Sequence, residues 1–166
     1  MPIRPSRLSD LPRMMEIFAA ARAFMAEAGN PTQWPDWYPD EEMLRADIAA
    51  GASFVIEDED EGVHATFMFR IGPDPTYAVI RDGNWLNDEL YGTIHRVASD
   101  GRRRGILGQA VEFCAARCAN LRVDTHADNA PMRHLLGKLG FVECGTITAE
   151  DGGDRVAFHK ITNRNA

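Results

Sequence analysis

A chain of 166 residues with 45% hydrophobic content is long enough to bury a sizeable core, and it predicts one domain over residues 1–166. Its 25 acidic against 18 basic residues give a formal charge of −7, which argues against broad nucleic-acid binding, because neutralising phosphates needs a basic surface. No signal-peptide pattern opens the chain, and no apolar run approaches the roughly 20 residues of a membrane helix, so the expectation is a soluble cytoplasmic protein with no membrane partner.

In chain order, an extended start near Ile3 leads to Ser9, which is placed to cap a helix carrying Leu11, Met14, Phe18, Ala21, Met25 and Ala28 at helical spacing. Gly29, Asn30 and Pro31 end it. The turn-rich, aromatic "GNPTQWPDWYPD" follows, and Asp40 opens a second helix that stops near Gly51. "SFVIED" and "VHATFMFRI" flank the acidic "EDEDEG" and read as an antiparallel hairpin with a solvated tip. Beyond a loop with Pro73 and Pro75, "YGTIHRVA" reads as a strand that runs into three arginines. A helix from about Gly105, the strand "LRVDT", a helix from about Pro131, and the strands "FVECGTI" and "RVAFHKI" complete an α/β (α+β) order.

The arginine cluster sits at a strand–loop–helix junction. A helix N-terminus presents unpaired N–H groups and partial positive charge, so such a junction is a ready anion site. Gly101, Gly105 and Gly108 allow close approach, and Arg102, Arg103 and Arg104 offer guanidinium forks for phosphate oxygens. A solvated basic loop is the competing reading. No Gly-Lys-Ser/Thr loop and no dinucleotide glycine pattern is present.

"VASDGRRRGILGQAV" resembles the coenzyme-binding loop of the GNAT superfamily of acetyl-coenzyme A-dependent N-acetyltransferases, whose signature reads Arg/Gln-x-x-Gly-x-Gly/Ala. Arg102, Gly105 and Leu107 fall on it, with Leu107 replacing the family's small residue and Gly108 directly after. "LRVDTHADNAPMRHLLGKLGF" is similar to the family's fifth strand, a following Asn and a helix ending in Gly-Phe, here Asn129, Gly140 and Phe141. A bacterial subgroup of the family shares forms of "NPTQWPDWYPDEE", "DPTYAVIRDGNWLNDELYGTIHRVAS" and "DTHADNAPM", so the resemblance spans nearly the whole chain.

That resemblance implies a central mixed, mostly antiparallel sheet with splayed fourth and fifth strands and helices on both faces. It implies acetyl-coenzyme A as co-substrate, with pantetheine between "TIHRVAS" and "VDTHADN". Backbone groups of Val97 and Ser99 would hold that arm. Amides of Arg103, Arg104, Gly105, Ile106, Leu107 and Gly108 would hold the pyrophosphate, with Arg102 to Arg104 neutralising it. Asn129 would bond the pantetheine amides; an N-cap two residues before Pro131 is an equal alternative. The implied acceptor is an amine of a small molecule or peptide, and the fold leaves a homodimer open.

Acetyl transfer needs a neutral amine, and one with a pKa near about 10.4 is only about one part in a thousand neutral at pH 7. The family's usual acid is a tyrosine four residues before Gly140, a position held here by Leu136. His95 and His126 are the candidate proton-transfer groups, by their strand positions near the splay, although a histidine on an otherwise apolar strand is more often a core residue with a satisfied hydrogen bond. Tyr91, Thr93 and His95 share one strand face, as do Asp124 and His126. Trp34, Trp37 and Tyr38, with Tyr91, are candidate walls for the acceptor, or cover for the sheet.

No metal site is expected. Cys114 and Cys118 lie four apart without a second ligand pair, and with Cys144 they read as reduced, buried thiols. Leu136 and Leu107 also admit a second class, a non-catalytic acyl-coenzyme A-binding regulatory or sensor domain.

Overall fold

The structure, a computed structural model, describes residues 2–162. Its elements are β1 (Ile3–Pro5), α1 (Leu11–Glu27), α2 (Glu41–Ala49), β2 (Ser53–Asp58), β3 (Gly62–Ile71), β4 (Gly92–Ser99), α3 (Ile106–Ala115), β5 (Asn120–Thr125), α4 (Ala130–Lys138), β6 (Val142–Thr148) and β7 (Asp154–Ile161). The strands form a seven-stranded sheet in the order β1-β2-β3-β4-β5-β7-β6. Pairing is antiparallel for β1–β2, β2–β3, β5–β7 and β6–β7. β4 and β5 run parallel, with Gly92 opposite Leu121 and Thr93 opposite Arg122, and their ladder ends there. This is the mixed, mostly antiparallel sheet that the resemblance implies.

The chain divides into two compact units. The first runs to Phe69 and includes His95–Ala110. Its core joins Leu11, Met14, Ile17 and Phe18 of α1 to Leu44 of α2, Val55, Val63 and Ala98, which is why those positions recur at helical and strand periods. The second unit comprises Arg70–Ile94 and the chain from Val111 on. Tyr77, Ile147 and Ala157 centre one of its clusters, with Ile80, Trp85 and Tyr91 packed against it.

Local chemistry sets most boundaries. Asp40 caps α2, its carboxylate accepting from the Met43 N–H at 2.8 Å. Asn129 caps α4 from Met132 N–H at 3.2 Å, with a proline in the first turn. α1 begins one residue later than a Ser9 cap would have it: a 3-10 turn, Leu8–Asp10, precedes it, and Asp10 takes the cap position. The Asp10 carboxylate accepts from Arg7 N–H at 2.7 Å and from the Arg4 guanidinium at 2.8 and 2.9 Å, and this non-local tie fixes the start.

β4 carries one departure from extended backbone. Arg96 has a φ of 52°, in the left-handed region that non-glycine residues rarely enter. Its guanidinium holds Asp47 of α2 through contacts of 2.9, 2.8 and 2.7 Å and reaches the Tyr38 hydroxyl at 3.2 Å. No helix among the described residues is long and apolar enough to cross a membrane.

Candidate functional site

The loop from Asp100 to Gly105 joins β4 to α3 and turns at two glycines of positive φ, Gly101 at 79° and Gly105 at 74°. A Cβ added at either would meet nothing within 4 Å, so backbone conformation rather than crowding selects glycine there. The Gly101 N–H donates to Ser99 Oγ and the Arg102 N–H to Asp100 Oδ1, both at 2.9 Å. Among the described residues, the amides of Arg103, Arg104 and Gly105 find no acceptor, and the first-turn amides of α3 continue that row of donors. Ile106 and Leu107 are both buried, so the Leu107 side chain is taken up by the interior instead of standing over the loop.

The three arginines are not equivalent. Arg103 donates through one nitrogen to Asp58 Oδ2 at 2.9 Å and to Glu61 Oε2 at 2.7 Å, and Arg102 reaches the same Glu61 oxygen at 3.1 Å. Asp58 ends β2 and Glu61 lies in the turn that leads into β3. The Arg103 guanidinium, helped by the Glu61 and Asp60 amides, pulls the Asp58 carboxyl down to about 2. Arg104 is exposed and has no ion pair among the described residues. The acidic turn, read from sequence as a solvated tip, is therefore a partner of the arginine loop.

The proton-transfer candidates meet different fates. His95 is half-buried on β4 beside the Arg96 kink. His126 lies beyond Thr125, the last residue of β5, and so is not on that strand's face with Asp124. Its Nδ1 accepts from the Asp128 N–H at 3.0 Å, a contact within its own turn. Leu136 is fully buried, a core residue on α4.

Of the expected acceptor walls, the first unit brings three together: Trp34 and Tyr38 meet tilted, with centroids 5.7 Å apart, and Trp37 meets Tyr38 edge-on at 5.9 Å. Trp34 also meets Phe18 at 5.8 Å and packs on the core, whereas Trp37 is 61% exposed. Tyr91 belongs to the second unit.

There a cluster that the sequence reading did not assemble surrounds Arg122 of β5. Its guanidinium lies 3.8 Å over Tyr91 and 4.2 Å over Trp85, and it donates to the Asn87 carbonyl at 2.9 Å. Burial lowers the Arg122 pKa despite the tyrosines that oppose the shift. Tyr77 is fully buried and donates to Asp124 Oδ2 at 2.7 Å; burial, then that carboxylate, pushes the phenol well above its ordinary pKa. Tyr91 O–H accepts from the Asp74 N–H at 2.8 Å. The period-two pattern of "LRVDT" does put Arg122 and Asp124 on one face, and that was the available signal.

A parallel β4–β5 pair that stops after two residues, followed by a glycine-bent donor loop at a helix start, defines an acetyltransferase fold of the GNAT type. A GNAT-family acetyltransferase from Streptococcus agalactiae shares 30% identity, covers 98% of this chain and 96% of its own, and superposes with a TM-score of 0.86. The chain belongs to the GNAT acetyltransferase family. A GNAT acetyltransferase from Listeria monocytogenes (18% identity, 96% and 94% covered, TM-score 0.71) has the same fold. So has a ribosomal-protein-alanine N-acetyltransferase from Brucella melitensis (24%, 97% and 99%, 0.61). No protein-family model matches the sequence, and no curated protein matches it.

Proposed function

We propose that this protein transfers the acetyl group of acetyl-coenzyme A to an amine of a small molecule or peptide. The observation that carries the reading is the Gly101–Gly105 loop, with its unpaired amides, open glycines and exposed Arg104 at the start of α3, in a chain 30% identical to an acetyltransferase. In this reading the amides from Arg103 to Gly108 take the pyrophosphate, Arg104 adds charge, and the backbone of Val97 and Ser99 holds pantetheine. The fold relatives lend general support: the NatC complex was solved with a Gag peptide and CoA.

The acceptor ammonium must lose a proton before its nitrogen attacks the thioester carbon. The tetrahedral intermediate then collapses, expelling the coenzyme A thiolate, which takes up a proton. With His126 tied to its own turn, His95 is the side chain we assign to receive the amine proton, directly or through water. The thiolate, with a pKa near about 8.5, leaves with a smaller penalty, so the buried Leu136 at the usual acid position is tolerable. Trp37 and Tyr38 are the assigned acceptor contacts, since Trp34 belongs to the core.

The experiment is thiol release from acetyl-coenzyme A across an amine panel, with His95→Ala beside the unmutated protein. Amine-dependent release that falls about 100-fold or more in the variant supports the reading. Leu136 favours one alternative, a non-catalytic acyl-coenzyme A sensor. Thermal stabilisation by acetyl-coenzyme A without release on any amine would establish it and sink the enzyme.

A further inference from the structure

We infer that Asp58, Glu61 and His64, at the β2–β3 turn, form a binding site for a first-row divalent transition-metal ion of the zinc type. One oxygen from each carboxylate and one ring nitrogen all lie within 4.8 Å of one another. His64 Nε2 is 3.6 Å from Glu61 Oε2 and 3.9 Å from Asp58 Oδ2. Ligand bonds of about 2.0–2.1 Å in a tetrahedral shell set donors roughly 3.4 Å apart, so the three atoms converge on an ion with small shifts.

The decisive atom is His64 Nε2. His64 is fully buried, and Nε2 has no hydrogen-bond partner. The other ring nitrogen, Nδ1, meets Asp100 Oδ2 at 3.0 Å, and Arg13 donates to that same oxygen at 2.7 Å. The Asp100 carboxylate is fixed on its other side by the Arg102 N–H, which donates to Oδ1 at 2.9 Å. The proton of a neutral His64 therefore sits on Nδ1, and the Nε2 lone pair points at two carboxylates. A lone pair aimed at anions calls for a cation between them. A carboxylate behind a ligating imidazole is the usual support for a metal-bound histidine, and Asp100 holds that place. Asp58 is oriented as well, because Oδ1 accepts the Asp60 and Glu61 amides at 2.9 Å and leaves Oδ2 facing the ring. One imidazole with two carboxylates suits zinc-like ions better than magnesium or calcium, which take oxygen shells.

Arg103 now occupies the same two oxygens, so the ion and the guanidinium exclude each other. Its side chain is 35% exposed and must leave both carboxylates for the ion to enter. Uptake of the metal would release Arg102 and Arg103 to the neighbouring loop; that consequence rests on the coenzyme reading, whereas the site does not.

The test is calorimetric titration with Zn2+ in the absence of coenzyme. Arg103→Ala should bind one ion at least tenfold more tightly than the unmutated protein, and Glu61→Gln and His64→Gln should each abolish that binding when combined with Arg103→Ala. Glu61 is exposed, so its variant stays interpretable if the buried His64 variant fails to fold. No binding in either the unmutated protein or Arg103→Ala overturns the inference, as does zinc binding that Glu61→Gln leaves unchanged. Acetyl-coenzyme A binding, titrated separately, stands or falls independently of these outcomes.

Discussion

The kink in β4 depends on one ion pair, and Asp47→Asn tests it. Arg96 is held in left-handed backbone that costs a non-glycine residue about 1–2 kcal/mol, and it stays there because its guanidinium grips Asp47 through three contacts of 2.7–2.9 Å. Both side chains are only 13% exposed, so the pair is largely out of water. Asparagine keeps the shape of Asp47 and removes its charge, leaving a mostly buried guanidinium without a counter-ion. Breaking such pairs costs about 3–5 kcal/mol, and the residual exposure puts this one near about 3. For a chain of this size that lowers Tm by roughly 6–12 °C. Tyr38→Phe removes the 3.2 Å contact and keeps the Asp47 charge, so it serves as the mild control, at about 1 kcal/mol or less. Urea unfolding followed by far-UV circular dichroism reads both. A loss below about 1 kcal/mol for Asp47→Asn would refute the claim that this pair holds the kink. Val97 and Ser99 follow the kink directly, so acetyl-coenzyme A affinity should fall in Asp47→Asn even where the protein is still folded.

Arg104→Ala should weaken acetyl-coenzyme A about tenfold by calorimetry, the low end for a charge-assisted hydrogen bond at an exposed site. Arg103→Ala should weaken it less, because that arginine must first leave Asp58 and Glu61. Gly105→Ala meets no atom within 4 Å but must hold a φ of 74°, so thermal unfolding should show a loss of about 1–2 kcal/mol from backbone strain alone. His159 is buried, and burial followed by the nearby Arg122 charge depresses its pKa from 6.5 to about 4. The unfolded chain therefore binds a proton below about pH 6.5 that the native chain refuses until about pH 4. Stability should drop by at most about 3 kcal/mol as pH falls through that window, and the drop should vanish in His159→Gln when urea midpoints are compared at each pH.

What the sequence disclosed follows from the range of the interactions involved. Asn129 with Pro131, and Asp40 before α2, act on amides three residues away, so both caps were legible. The start of α1 was not, because Asp10 is held by Arg4 of β1. Nothing local says that β7 lies between β5 and β6; that order rests on a register such as Arg122 opposite His159. The same limit governs the site. The arginine loop was readable from its glycines and the helix after it, whereas its acidic partners lie more than 40 residues upstream, across a hairpin whose charges alone suggest solvation. Tyr77 is likewise joined to Asp124 over 47 positions.

The pairing of Arg102 and Arg103 changes what the loop selects. A formal charge of −7 said little about this corner of the surface, where carboxylates have already been set against two of three guanidinium groups. A lone monoanion arriving at the loop competes with Asp58 and Glu61 for those arginines and gains little, since exposed ion pairs exchange at nearly equal free energy. A diphosphate differs because it reaches the unpaired amides from Arg103 into α3 as well as Arg104, none of which must abandon a carboxylate first. If the loop is the coenzyme cradle proposed above, the acidic turn discounts simple charge attraction and leaves backbone geometry to decide the ligand, which would favour an extended polyphosphate fitted to a helix start over any small anion.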